Sequence, residues 1–223
     1  MKILVFGGNG SIGKEIAKQL TSEHDVFIAS HKDSKDSLAK FETDSFAGVL
    51  ENGPYDGVVW ATGKNINDNI GELSYHQYQD ILEANLNFIV KTLSSLIQSK
   101  SINNGASLVL ISSIWQDFAR NNKFSYSVSK SALSGMIKSL SVDLGPRGIR
   151  VNSVSPGVVL NEMSKKNLNN DQIMKIQLET PLRQLVTEAD VANAVAWLIS
   201  PLSKSITGQN LIVDGGWTIS RYV

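Results

Sequence analysis

Three side chains near the middle of the chain could together perform acid/base chemistry on a carbonyl group. Tyr126 and Lys130 lie four residues apart at the start of an apolar-periodic stretch, and Ser113 precedes them by a short polar segment. A spacing of four places two side chains on one face of a helix. A nearby ammonium favours the phenolate, so we expect Lys130 to lower the pKa of Tyr126 from about 10 toward working pH. Ser113 could donate a hydrogen bond to a carbonyl oxygen while another group delivers hydride.

This pattern has an ordinary alternative, because a tyrosine and a lysine four residues apart are also typical of a solvated helix face. The catalytic interpretation therefore depends on whether the chain also supplies a nucleotide site. The short apolar run Ile3 to Phe6 predicts a buried strand, and the glycines Gly7, Gly10 and Gly13 follow it directly. Apolar residues then recur at helical spacing from Ile12 onward. Glycines between a strand and a helix are the context of a dinucleotide-binding loop, although an ordinary glycine turn is the alternative.

The second predicted strand ends at Ala29 and is followed by Ser30, His31 and Lys32. An acidic residue at this position typically binds the ribose hydroxyls of NAD, whereas a basic residue accommodates the 2′-phosphate of NADP. The sequence therefore favours NADP over NAD, although Asp33 follows immediately and Lys32 could be a solvated lysine.

Strands and helices are predicted to alternate along the whole chain, which indicates a doubly wound, Rossmann-like α/β domain spanning residues 1–223. We expect about seven parallel strands with helices on both faces, and a shortened crossover between residues 33 and 52. Asn85 interrupts a predicted helix, either as a core asparagine bonded to backbone or as a functional polar group. The polar residues 160–182 lie where a substrate lid would lie, or else form a mobile surface loop.

Composition excludes several classes of protein. The 223 residues carry a formal net charge of zero and contain no cysteine, and the pI is about 6.8. Nothing here predicts a nucleic-acid partner, a disulfide or a thiolate metal site. The apolar runs are too short for a signal peptide or a membrane span, so we expect a cytoplasmic protein.

Taken together, these motifs resemble the short-chain dehydrogenase/reductase family from Ile3 to about Trp217. The most specific segments are Ser113 with YSVSK at residues 126–130, RVNSVSPG at residues 150–157, and ITGQNLIVDGG at residues 206–216. The order and spacing of these segments carry the resemblance.

The resemblance implies a role for each matching residue. It makes Tyr126 the acid/base, Lys130 the group that lowers its pKa and binds the nicotinamide ribose, and Ser113 the group that orients the substrate oxygen. Asn85 would support a water relay toward the lysine. The implied cofactor contacts are Gly7, Asn9, Gly10, Ser11, Ile12, Gly13, Ser30, His31, Lys32, Ala61, Thr62, Gly63, Tyr126, Lys130, Pro156, Gly157 and Val159.

The chain departs from the family pattern at four places. Phe6 replaces the threonine before the first glycine, and Ser11 stands where many members carry glycine. Trp60 begins the segment that usually reads Asn-Asn-Ala-Gly, and Asn161 replaces a threonine after the Pro-Gly turn.

The implied function is hydride transfer between NADP(H) and a small carbonyl or alcohol, in a homodimer or homotetramer. The alternative is an NADP(H)-binding regulator or scaffold with little turnover.

Overall fold

Six parallel strands form the sheet of this computed structural model, which describes residues 1–29, 47–161, 164 and 168–220. Their order across the sheet is β2-β1-β3-β4-β5-β6. The strands are β1 (Lys2–Phe6), β2 (Asp25–Ala29), β3 (Tyr55–Trp60), β4 (Ile102–Ile111), β5 (Arg150–Pro156) and β6 (Asn210–Val213). The chain leaves β1 toward one edge and returns to β3 on the other side, so β1 and β3 flank the switch point where such sheets bind ligands.

Helices cover both faces of the sheet, because successive strand side chains point to opposite faces and both sets are apolar. One face packs against α4 and α5, and the other against α1 and α7. The helices are α1 (Ser11–Thr21), α2 (Ala47–Glu51), α3 (Tyr75–Leu82), α4 (Phe88–Gln98), α5 (Phe124–Leu144), α6 (Asn170–Glu179) and α7 (Glu188–Ile199). None of the helices in the described ranges combines the length and apolar composition needed to cross a membrane.

The predicted doubly wound fold is confirmed, with a correction to the number of strands. The described residues form six strands where the sequence analysis expects about seven. Residues 30–46 lie outside the description, and the remainder of the shortened crossover is the helix α2. Ser30, His31 and Lys32 also lie outside the described residues. Within the expected lid, residues 170–179 are helical.

Two of the four departures from the family pattern pack against each other inside the sheet. The rings of Phe6 and Trp60 stack with centroids 5.6 Å apart and planes 18° apart. Phe88 meets Phe6 edge-on, also at 5.6 Å, and the indole Nε1 of Trp60 donates to Thr92 Oγ1 at 2.8 Å. Since Trp60 is fully buried, these residues belong to the core beneath the strand ends.

Candidate active site

The sheet brings the predicted catalytic residues to its carboxyl edge. Ser113 follows the end of β4, while Tyr126 and Lys130 lie in the first two turns of α5. A cavity opens at this edge, and its walls include Ile12, Ala61, Thr62, Gly63, Lys64, Asn65, Asn67, Ile111, Ser112, Ser113, Trp115, Arg120, Lys123, Tyr126, Lys130, Pro156, Gly157, Val158, Val159, Asn161, Ser164 and Leu168. Three of the four predicted catalytic side chains therefore face one cavity.

Ser113, Tyr126 and Lys130 lie together, with Ser113 and Lys130 buried and Tyr126 half-buried. The Ser113 hydroxyl hydrogen-bonds the Tyr126 phenol, and the Lys130 ammonium lies 5.8 Å from the centroid of the Tyr126 ring. Lys130 is only 3% exposed, and its Nζ donates to the carbonyl oxygen of Ile111 at 2.8 Å. A phenol, a hydroxyl donor and a fixed ammonium thus share one site.

The expected effect of Lys130 on Tyr126 is corrected by the structure. Burial raises the pKa of Tyr126, and the hydrogen bond from Ser113 lowers it by less. Burial also lowers the pKa of Lys130 to about 8. Removing the charged form of each group from water is the largest cause of both shifts. The protein alone therefore holds Tyr126 as a neutral phenol at pH 7, the form that can donate a proton.

Asn85 lies behind the cavity wall and holds one of its loops. Its Oδ1 accepts from Lys64 N at 2.7 Å, and its Nδ2 donates to Lys64 O at 3.0 Å and to Ser129 Oγ at 2.9 Å. It sits in a π-helical turn, Glu83–Asn87, between α3 and α4. Such turns are frequent at functional sites. Asn85 is thus bonded to backbone, as one of its two interpretations predicts.

That loop brings Gly63 close to Lys130. A Cβ added at Gly63 would lie 3.2 Å from Asn85 Oδ1 and 3.5 Å from Lys130 Nζ. The asparagine therefore sets the distance between this loop and the ammonium group.

The turn between β1 and α1 is shaped for close approach by a phosphate-bearing ligand. Gly7 has φ of +77°, and a Cβ at Gly13 would lie 2.2 Å from the carbonyl oxygen of Gly7. The first turn of α1 has no acidic residue, and its N-cap, Gly10, offers no side-chain hydrogen bond. Backbone N–H groups at such a helix end bind anions.

Thr62 adds a second feature of a ligand site. Its hydroxyl oxygen is buried in the cavity wall without a hydrogen-bond partner among the described residues. A ligand with polar atoms would satisfy it. The glycine turn and this orphaned hydroxyl both fit a dinucleotide cofactor.

The residues predicted to contact the cofactor are only partly in the cavity wall. Pro156, Gly157 and Val159 line it with Ile12, Ala61, Thr62 and Gly63. Gly7, Asn9 and Gly10 form the adjoining turn, and Ser11 and Gly13 lie at the start of α1. Asn161 Nδ2 donates to Ser11 Oγ at 3.1 Å. The loop after β5 is thereby joined to the start of α1 across the cofactor side of the cavity.

Gly13→Ala should damage this turn. The new Cβ would overlap the Gly7 carbonyl, so we expect roughly tenfold weaker binding of a dinucleotide at this turn and a loss of about 1–3 kcal/mol in unfolding free energy. Fluorescence titration and urea denaturation measure the two quantities. Gly135→Ala is the matched control, since a Cβ there meets nothing within 4 Å and alanine favours a helix by about 0.5–1 kcal/mol. Equal behaviour of the two variants would contradict the assignment of the turn.

Four polar residues in the cavity wall were not predicted from the sequence, namely Asn65, Asn67, Arg120 and Lys123. Lys123 is three residues before Tyr126 and is only 5% exposed. No pattern in the sequence predicts that this lysine is buried. Among the residues that directly follow Ile114, Trp115 lines the cavity, whereas Gln116, Asp117 and Phe118 do not. Gln116 instead accepts a hydrogen bond from Ser112 Oγ at 2.8 Å.

Comparison with known proteins extends these observations. A family model described as Enoyl-(Acyl carrier protein) reductase matches residues 13–218. The chain is 30% identical to the 3-oxoacyl-(acyl-carrier-protein) reductase of Rickettsia conorii, over 96% of this chain and 95% of that protein.

Two solved structures also resemble the chain. A short chain dehydrogenase family protein from Francisella tularensis is 26% identical with a TM-score of 0.88, over 98% of this chain and 99% of the other. The 3-oxoacyl-(acyl-carrier protein) reductase of Brucella melitensis in complex with NAD, at 23% identity, covers 99% of this chain and 98% of its own with a TM-score of 0.90. That last likeness supports the fold alone.

Proposed function

Because the chain belongs to the short-chain dehydrogenase/reductase family of oxidoreductases, we propose that it transfers a hydride between NADP(H) and a carbonyl/alcohol pair. The observation that carries the proposal is the grouping of Ser113, Tyr126 and Lys130 in one cavity, next to a glycine turn that a helix N-terminus closes. The nicotinamide cofactor would supply or accept the hydride.

The protein's own side chains would orient the substrate oxygen and transfer a proton to it. Ser113 donates a hydrogen bond to the substrate oxygen, and Tyr126 transfers its phenolic proton to that oxygen as negative charge develops. Lys130, held by the Ile111 carbonyl, stabilises the phenolate that remains. Preorganised donors of this kind are often the largest electrostatic contribution to catalysis, and general acid catalysis adds about 10²–10⁴-fold.

The remaining assignments complete the proposal. The cofactor would contact the glycine turn, Thr62 and Gly63, with His31 and Lys32 at the 2′-phosphate, and Asn85 would support a water relay toward Lys130. Residues 160–182 would close over the substrate as a lid. We place the protein in the cytoplasm, as a homodimer or homotetramer that packs through α4 and α5, whose exposed apolar residues include Val90, Val128 and Val142.

Cofactor preference is the first measurement. We expect the purified protein to bind NADPH at least tenfold more tightly than NADH in a fluorescence titration, because a basic residue suits a 2′-phosphate. Lys32→Glu should reverse this preference, while the matched surface change Lys18→Glu should not affect it, since Lys18 lies at the far end of α1 and pairs with Glu15. If the wild type prefers NADH, the assignment of NADP as the cofactor is wrong, but the proposed oxidoreductase activity is unaffected.

Turnover separates the enzyme from a regulator or scaffold. A panel of ketones, aldehydes and quinones with NADPH should reveal oxidation of the cofactor at 340 nm. Tight binding of NADPH without turnover of any carbonyl would favour the scaffold instead.

A further inference from the structure

The cavity carries positive charge beyond what the catalytic residues require. Besides Lys130, its walls contain Lys64, Arg120 and Lys123, and no described residue in those walls is an aspartate or a glutamate. Cations with no opposite charge nearby are costly in a partly desolvated cleft, and they raise the local concentration of anions.

Lys123 is the most constrained of these cations. It is 5% exposed, and its Nζ lies 5.9 Å from the centroid of the Tyr126 ring. Its acceptors are neutral, namely Asn65 Oδ1 at 2.8 Å and the carbonyl oxygen of Ile66 at 3.3 Å. An ammonium has three N–H donors, so these contacts leave one for a ligand.

The surroundings of Lys123 do not neutralise it. Asp68 is the carboxylate that raises the pKa of Lys123, but burial and the charge of Arg120 lower it further, to about 8. Asp68 is occupied at the start of α5, where it accepts from Ser125 N at 3.0 Å and from the Ser125 hydroxyl. Arg120 is exposed at the cavity mouth, and the described residues offer it no hydrogen bond or ion pair.

A purely structural role for Lys123 would be to tie residues 65–66 to the start of α5. Neutral amide side chains form such ties without burying a charge, and the tie needs no second cation beside it. A structural lysine therefore does not explain Arg120, nor why the acceptors bonded to Lys123 among the described residues are neutral.

We propose that Lys123 and Arg120 bind an oxoanion, a carboxylate or a phosphate, on the carbonyl substrate. The inference rests on the proposed function and specifies its substrate class. An ammonium and a guanidinium that line one cavity, close enough for the charge of Arg120 to lower the pKa of Lys123, match such a group. Charge-assisted hydrogen bonds to oxoanions are strong and directional. The anion would lie on the Lys123 side of the Tyr126 ring, and the reacting oxygen would lie by Ser113.

The test compares each anionic substrate with its neutral counterpart. Pyruvate, acetoacetate and levulinate would be assayed against their methyl esters, and dihydroxyacetone phosphate against dihydroxyacetone, with saturating cofactor. We expect at least one anion to exceed its counterpart tenfold or more in kcat/KM, and whether a keto acid or the phosphate does so identifies the oxoanion. Arg120→Gln and Lys123→Met should each reduce that anion-to-neutral ratio about tenfold. Lys138→Gln, an exposed cation change further along α5, should leave the ratio unchanged.

Two outcomes overturn the inference. The first is that the neutral counterparts match or exceed every anion in kcat/KM. The second is that the variants lower kcat/KM equally for both members of a pair. If Lys123→Met does not fold, the anion-to-neutral ratio of Arg120→Gln decides the question, because Arg120 is exposed and its replacement should leave the fold intact. Failure of the proposed function looks different, since no carbonyl of either kind would then react. Calorimetric titration of levulinate and inorganic phosphate into the wild type and Arg120→Gln still tests anion binding in that case.

Discussion

Tyr126→Phe should abolish turnover while NADPH binds nearly as tightly as in the wild type. The change removes one oxygen, and with it the proton that the substrate oxygen must receive. We expect kcat to fall by about 10²–10⁴-fold, the usual contribution of a general acid, with the dissociation constant for NADPH changed less than about threefold. Steady-state kinetics on any carbonyl found to react, together with a fluorescence titration, measure both quantities.

The matched control is Tyr75→Phe, which removes the same atom from a tyrosine that is 66% exposed on α3. It should keep wild-type kinetics. A Tyr126→Phe enzyme with wild-type turnover would rule out the assigned role, because phenylalanine has no proton to give.

Lys130→Met should make the protein more stable and much less active. The ammonium is almost fully buried, and burial lowers the pKa of Lys130 from 10.5 to about 8. At about 1.4 kcal/mol per pKa unit, that shift corresponds to roughly 3 kcal/mol of destabilisation at pH 7. Losing the hydrogen bond to Ile111 costs about 1 kcal/mol. We therefore expect a net gain of about 2 kcal/mol in unfolding free energy, and a fall in kcat of roughly 10²-fold.

The pH dependence of this gain follows from the direction of the shift. Below pH 8 the folded lysine is charged and the full penalty is present. Between pH 8 and 10.5 the unfolded chain binds more protons than the folded one at this position, so wild-type stability rises with pH. The advantage of Lys130→Met should thus be largest at pH 7 and shrink toward pH 10.5.

Urea denaturation at pH 7 and pH 10 measures this difference. Lys138→Met, at an exposed position of the same helix, should show no comparable gain at either pH. A gain for Lys130→Met that stays constant over this range would show that the buried charge is not its cause.

Most of the fold could be predicted from the sequence, because local patterns determine it. Apolar runs such as Val58 to Trp60 specify strands that are buried on both faces, and Thr187 with Asp190 forms a capping box at the start of α7. The grouping of Ser113, Tyr126 and Lys130 followed from strand order, since parallel strands end at one edge.

Other features depend on distances that no local pattern encodes. Lys130 was expected to lower the pKa of Tyr126, yet the burial of the phenol raises that pKa. The burial of Lys123 depends on a loop nearly 60 residues away in sequence. Asn85 could be read two ways because its partner atoms belong to Lys64 and Ser129, which only the folded chain brings near.

Because Phe6 stacks on Trp60, these two departures from the family pattern should be treated as one coupled change and not as two independent ones. Neighbouring side chains in a packed core have non-additive effects. Returning Phe6 alone to threonine would strip one face of the indole, and returning Trp60 alone to asparagine would bury an amide against Phe6 and Phe88. Each aromatic residue thus packs well only when the other is present, so we expect the effects of replacing Phe6 and Trp60 to be epistatic. A chimera with other family members should therefore exchange both strands together.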